Sequence, residues 1–223
     1  MLFRSTVLLL LAASVIWHSA APDAGWARTV GVAVQGLALL ATLRISNETP
    51  RLFRLASVLV PLAIVLTVVG DVVQGNAGDL LSGLVGLLIV LACPVAIVRS
   101  VVKHPTINLQ TVLAAICIYL LLGLLFAYIL GVEIAIVGGH FMDGVGSTGR
   151  PTGADLLYFS FITLTTTGYG DITAATRVGR TTAMVEAMVG QLYLVTVLAI
   201  LVSNLGHSRQ PAATAEDGGP SPT

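Results

Sequence analysis

Nine consecutive residues, Thr163-Leu164-Thr165-Thr166-Thr167-Gly168-Tyr169-Gly170-Asp171, carry most of the chemistry this chain can do. Two glycines flank one tyrosine directly after a run of threonines. Without a Cβ at Gly168 and Gly170, the backbone reaches conformations closed to other residues and can turn several carbonyls to one side. A row of carbonyls facing one way can replace the water around a bare cation. Elsewhere no enzyme constellation is visible. His18, His104, His140 and His207 are scattered through loops and ends, with no nucleophile–base spacing and no phosphate loop. Cys93 and Cys117 both fall inside apolar runs and read as buried small hydrophobes, forming neither a disulfide framework nor a metal cluster.

The elements that must position this stretch are membrane helices. The chain has 223 residues, of which 56% are hydrophobic and only 10% charged. Its mean hydropathy of +0.93 lies far above that of a soluble domain. Eleven basic and eleven acidic residues leave no net charge, so no nucleic acid and no soluble acidic partner is implied. Six stretches are long enough to cross about 30 Å of hydrocarbon. They are Leu2–Ala21, Trp26–Ile45, Leu52–Gly70, Leu80–Val98, Thr111–Val132 and Thr182–Leu205. The second and third are the weakest, because Arg28, Arg44 and Arg54 at their ends must snorkel to the headgroups, and a five-span chain stays open. The first also has the pattern of a signal peptide, with Arg4, an apolar run and then His18-Ser19-Ala20-Ala21. A cleaved leader would leave the downstream topology unchanged.

Basic residues favour the cytoplasmic side. With the N-terminus inside, Arg4, Arg44, Arg51, Arg54, Arg99, Lys103 and Arg209 are cytoplasmic, whereas Arg28, Arg150, Arg177 and Arg180 are outside. Asp71 and Asp79 then fall in the outer third-to-fourth loop, and Trp17 and Trp26 bracket the first outer turn. No ladder of arginines runs through the fourth span, so it cannot carry several charges through a membrane field. Pro61 and Pro94 are expected to bend their helices. Gly138–Gly153 reads as an exposed polar loop, with His140 and Asp143 solvated rather than acting as a pH sensor or cation site. After Pro151 and Asp155 comes an apolar segment, Leu156–Thr165, too short to span. It is expected to be a re-entrant helix, which brings unwound backbone to membrane depth only where protein or a water-filled cavity surrounds it. From Ser208 the composition is that of a disordered tail.

The sequence Thr166-Thr167-Gly168-Tyr169-Gly170-Asp171, placed after a short apolar helix and between two spans, resembles the selectivity filter of potassium channels. Glu186-Ala187-Met188-Val189-Gly190-Gln191-Leu192-Tyr193 resembles the inner helix of bacterial two-span pore modules. The resemblance covers Thr111–His207 and reaches the first four spans only through their number and orientation. It implies a fold: an all-α membrane protein of six transmembrane helices, with a re-entrant pore helix and filter loop between the fifth and sixth. The domains would be a four-span region without a voltage sensor (1–105), a pore domain (106–207) and a cytoplasmic tail (208–223). Carbonyls of Thr166, Thr167, Gly168 and Tyr169, with the Thr166 hydroxyl, would cage dehydrated potassium, the permeant species, and Gly170 would complete the outer mouth. No cofactor is implied. Tyr169 would point away from the axis and wedge the filter open.

Gly190, twenty residues after Gly170, is the family's suspected gate hinge, with close helix packing as the equal alternative. Helical spacing puts Gln191, Leu194, Leu198 and Val202 on one stripe below the filter, and turns Glu186 away from it toward protein. The chain departs from the pattern at Ile162, where some members carry a glutamate that meets the filter aspartate. Asp171 is left with Tyr158, the aromatic position that can bond it. One chain holds one filter segment and a carbonyl ring needs four, so a homotetramer in membrane lipid is expected. The resemblance implies a bacterial plasma (inner) membrane, with both termini cytoplasmic. The function implied is passive potassium conduction. Rival readings are a non-selective cation channel of the same architecture and a secondary transporter or scaffold, although no repeat with paired broken helices is visible.

Overall fold

Apolar stretches of this length fold as helices because backbone in hydrocarbon has only itself to bond. The computed structural model describes residues 2–20, 24–45, 50–73, 75–102, 109–138, 141–145 and 150–207. In order they form α1 (Leu2–Ala20), α2 (Gly25–Ile45), α3 (Pro50–Val73), α4 (Asn76–Val102) and α5 (Leu109–Val137). Then follow β1 (Met142–Asp143), α6 (Gly153–Leu164), β2 (Thr173–Ala174) and α7 (Arg177–His207). Among the described residues, four helical segments are long and apolar enough to cross a membrane: Gly25–Arg44, Phe53–Val73, Asn76–Val98 and Thr111–Val137. The chain is an integral membrane protein. Shorter apolar runs lie in α1 (Thr6–Ala20) and α6. Pro61 and Pro94 sit inside α3 and α4, which continue through them.

Helix α5 is the axis of the packing. Its Leu121, Leu124 and Leu130 are fully buried, and Leu121 and Leu124 share a core with Leu11 of α1, Val90 and Cys93 of α4, and Leu157 of α6. Cys93 and Cys117 are free thiols inside this core. A polar chain also ties α1 and α2 to α5. His18 Nδ1 lies 2.9 Å from the Ser14 carbonyl and His18 Nε2 lies 3.2 Å from Tyr128 Oη. Tyr128 Oη also meets Gln35 Oε1 at 3.2 Å, and Gln35 Nε2 donates to Ser14 Oγ at 3.3 Å. Trp17 stacks edge-on with Trp26 and donates to the Ala27 carbonyl.

Two loop expectations change. Asp71 and Asp79 are helical, in the last turn of α3 and the first turn of α4, because an acid is favoured at a helix N-terminus and α3 runs on past its apolar stretch. Arg28 reaches both, at 3.3 and 2.9 Å, and Arg150 reaches Asp79 at 3.3 Å. The α5–α6 connection is not a wholly exposed polar loop either. Phe141 and Met142 are completely buried, and β1 pairs antiparallel with β2, Met142 opposite Ala174 and Asp143 opposite Thr173. Two large apolar side chains in a glycine-rich setting fold inward and carry the loop with them. His140, Lys103 and the tail 208–223 lie outside the described residues.

Phe141 packs with Leu130, Ile134, Phe159, Ile172 and Ala174, joining α5, α6 and the segment leading to α7. Truncating a buried phenylalanine costs about 3–5 kcal/mol. Phe141→Ala should lower the thermal unfolding midpoint in detergent markedly, and an unchanged midpoint would show that the loop does not depend on this anchor.

Candidate functional site

Helix α6 begins at a built cap. Thr152 Oγ1 accepts from the Asp155 backbone N–H at 3.1 Å, and the Asp155 carboxylate accepts from the Thr152 N–H at 2.9 Å. This reciprocal pair satisfies two donors that a helix start leaves open. Proline at 151 and this cap explain why the helix starts at Gly153, three residues earlier than its apolar run. At twelve residues it extends about 18 Å at 1.5 Å per residue, less than a bilayer's hydrocarbon core.

Its flanks are gripped by α5 and α7. Ser160, completely buried, lies with Oγ 2.7 Å from the Gly123 carbonyl of α5 and in hydrogen-bond contact with Glu186 of α7. A Cβ at Gly123 would stand 2.8 Å from Phe161 Cε2, so glycine is what lets the two helices approach. Tyr119 Oη donates to the Leu164 carbonyl at the end of α6, at 3.3 Å. Tyr119 stacks on Tyr193 of α7, whose own hydroxyl donates to the Ala115 carbonyl at 2.6 Å. Nearer the start of α7, its Thr182 donates to Glu133 of α5 at 2.6 Å. Gly190 is buried against the same helix end: a Cβ there would collide with the Leu164 carbonyl and stand 2.8 Å from Leu164 Cδ1. Close packing is therefore a structural requirement at Gly190.

Beyond α6 the backbone does not continue as a helix or strand. The N–H groups of Thr165, Thr166, Thr167 and Gly168 turn back to the carbonyls of Phe161, Thr163, Ile162 and Ile162 at 2.8–3.0 Å. Every second residue has positive φ: Thr166 at 57°, Gly168 at 54° and Gly170 at 80°. Left-handed backbone suits glycine and is rare for a β-branched threonine. Residues 165–171 are exposed on the single chain, Tyr169 at 72%.

At its exit the segment is clamped. Tyr158 Oη donates to Asp171 Oδ2 at 2.7 Å, linking α6 to the segment's exit. Gly144, at φ 82°, lies so close to the Asp171 carbonyl that no Cβ would fit, with Ile172 Cα 3.2 Å from its position. The Ala175 N–H donates to the Phe141 carbonyl, and Arg180 Nε donates to the Ala174 carbonyl, each at 2.9 Å. The Tyr158 hydrogen bond holds the Asp171 carboxyl below the usual carboxylate range, and the same bond pushes the Tyr158 hydroxyl up to about 12.

Of the residues singled out by sequence, Thr166–Gly170 form one continuous exposed segment, Tyr158 and Asp171 meet, and Gly190 packs behind them. Gln191 and Leu194 are exposed on α7, while Leu198 and Val202 lie on its backbone with side chains outside the described ones. Ser160, Gly123, Tyr119 and Glu133 were not anticipated. A serine in the middle of a short apolar helix, with a buried glutamate downstream, was the available signal.

A carboxyl held low keeps its charge as pH falls, and its bond to Tyr158 is lost only once pH drops through the lowered pKa. Tyr158→Phe should therefore move the Asp171 titration midpoint, followed by carboxyl-carbon NMR, to higher pH. An unmoved or lowered midpoint would rule out the bond as the cause.

A family model described as "Ion channel", a two-transmembrane ion channel domain, matches residues 114–206. No curated protein and no solved structure matches the chain. The matched stretch takes in most of α5, all of α6, the exposed turn and nearly all of α7. Residues 114–206 are therefore similar to an ion channel domain of the two-transmembrane type, and they belong to an integral membrane protein with further apolar helices ahead of them.

Proposed function

We propose that the chain is one subunit of a homotetrameric potassium-selective channel, with Thr166–Gly170 as its filter and α6 as its pore helix. The observation that carries this reading is the alternation of backbone hand at Thr166, Gly168 and Gly170. A strand that alternates between left- and right-handed residues puts its carbonyls along one edge and its N–H groups along the other. In this segment the first N–H groups are already engaged by the end of α6, which leaves the carbonyl edge for a ligand. A ligand for stacked carbonyls is a cation stripped of water. Thr166 supports the reading further: a left-handed β-branched residue costs about 1–2 kcal/mol, and strain of this kind collects where function needs the conformation.

One carbonyl edge cannot surround an ion, so four copies are required around an axis. The exposure of residues 165–171, and the apolar exposed row Met188, Leu192 and Val195 on α7, fit faces that meet other subunits. In this assembly α1–α5 and α7 are the six spans, 1–105 is the membrane region ahead of the pore, and both termini are cytoplasmic in a bacterial inner membrane. Helix α6 runs inward, and its C-terminal partial negative charge stabilises a cation at the membrane centre. Gln191 and Leu194 face the cavity below, on the stripe whose sequence spacing runs on to Leu198 and Val202. Asp171, braced by Tyr158, supports the outer mouth.

Gly168 sits at φ 54°, where an alanine Cβ is strained by roughly 1 kcal/mol or more in each of four subunits. Gly168→Ala should abolish potassium-driven rubidium uptake into liposomes while the tetramer persists in mild detergent. Wild-type-like uptake in that variant would remove Thr166–Gly170 from the permeation path. Equal sodium and potassium flux through the unaltered protein would establish the non-selective channel instead.

A further inference from the structure

Glu186 is completely buried on α7, and among the described residues it has no basic partner. Its Oε1 contacts Ser160 Oγ, and its Oε2 has no hydrogen-bond partner. An ionised carboxylate in this position would be an uncompensated buried charge, which is among the costliest groups a protein interior can hold. The hydrogens around Ser160 point the same way. Ser160 Oγ has two partners at hydrogen-bond distance, the Gly123 carbonyl and the Glu186 carboxyl, but a serine hydroxyl carries a single hydrogen. The Gly123 carbonyl has none to give. If Glu186 also had none, one of the two contacts would set lone pair against lone pair.

We infer that Glu186 is held as the neutral acid and is a positioning residue for the filter. Its O–H donates to Ser160 Oγ, and Ser160 donates to the Gly123 carbonyl, giving a one-way hydrogen-bond chain from α7 through α6 to α5. The chain meets α6 two residues before Ile162, whose carbonyl accepts the N–H groups of both Thr167 and Gly168. Anything that lets α6 rotate or slide at Ser160 therefore moves the acceptor that fixes the backbone of the segment after it. Among the described residues, Tyr119 on α5 feels the Glu186 carboxyl, and both its hydroxyl and that of Tyr193, stacked on it from α7, are engaged by carbonyls, of Leu164 and Ala115. This inference rests on the proposed reading of Thr166–Gly170 as a filter.

The test pairs ion selectivity with infrared spectroscopy on the reconstituted full-length protein. Glu186→Gln keeps a neutral donor for Ser160 and should retain the potassium-to-sodium permeability ratio. Glu186→Ala and Ser160→Ala, which each break the chain, should lower it about tenfold, the size expected when one buried hydrogen bond is left unmade. At neutral pH the unaltered protein should show the C=O stretch of a protonated carboxylic acid that disappears in Glu186→Gln and shifts to higher wavenumber in Ser160→Ala. Absence of that band, or a Glu186→Gln variant as damaged as Glu186→Ala, would overturn the inference. The infrared result does not depend on selectivity: if the unaltered protein proves non-selective, the filter reading fails while the band still decides the protonation of Glu186.

Discussion

At the end of a helix four carbonyls lose their intrahelical donors and must find others. Helix α6 meets that constraint with the backbone that follows it: Phe161, Ile162 and Thr163 take N–H groups from Thr165–Gly168, and Leu164 takes the hydroxyl of Tyr119. The solution fixes the conformation of the next residues. Once these four consecutive N–H groups are turned back toward the helix, the chain leaves with positive φ at every second residue, Thr166, Gly168 and Gly170. The rest of the architecture serves to keep α6 still while this happens. Gly123 and Gly190 let α5 and α7 come within backbone distance of it, and Ser160 and Tyr158 bond it on opposite sides.

The helices ahead of residues 114–206 pack against that stretch. Leu11 and Ser14 of α1 are buried, and His18 of α1 meets Tyr128 of α5 through a polar chain that also includes Gln35 of α2. A displacement of α1 or α2 would thus be felt by α5, and α5 bonds both ends of the grip on α6. In the first turn of α2, Arg28 is shared between Asp71 and Asp79, with Arg150 joining Asp79. These charges are paired with each other across helix ends. They do not form the stacked cationic row that a membrane field could move.

Much of this was legible from residue order because membrane helices announce themselves by long apolar runs and the filter-like segment by its glycines. Helix bounds were anticipated to within a few residues at most ends. What stayed hidden depends on contacts between residues far apart in the chain. Glu186 was visible as an oddity in an apolar helix, but its partner Ser160 lies 26 positions away, and spacing alone cannot find it. Phe141 and Met142 were missed because their glycine-rich surroundings read as solvent-exposed, whereas two large side chains suffice to fold the loop onto Leu130 and Ile172. Gly190 could be read equally as hinge or spacer. The nearness of the Leu164 carbonyl makes it a spacer, whatever else it does.

The central claim is that stacked carbonyls from four copies of Thr166–Gly170 select potassium. It is tested most directly by the current reversal potential of the purified protein in a planar bilayer, with potassium on one side and sodium at equal concentration on the other. The account predicts a large reversal potential of the sign that marks potassium as the favoured ion. A reversal at zero, with current flowing in both directions, would contradict it.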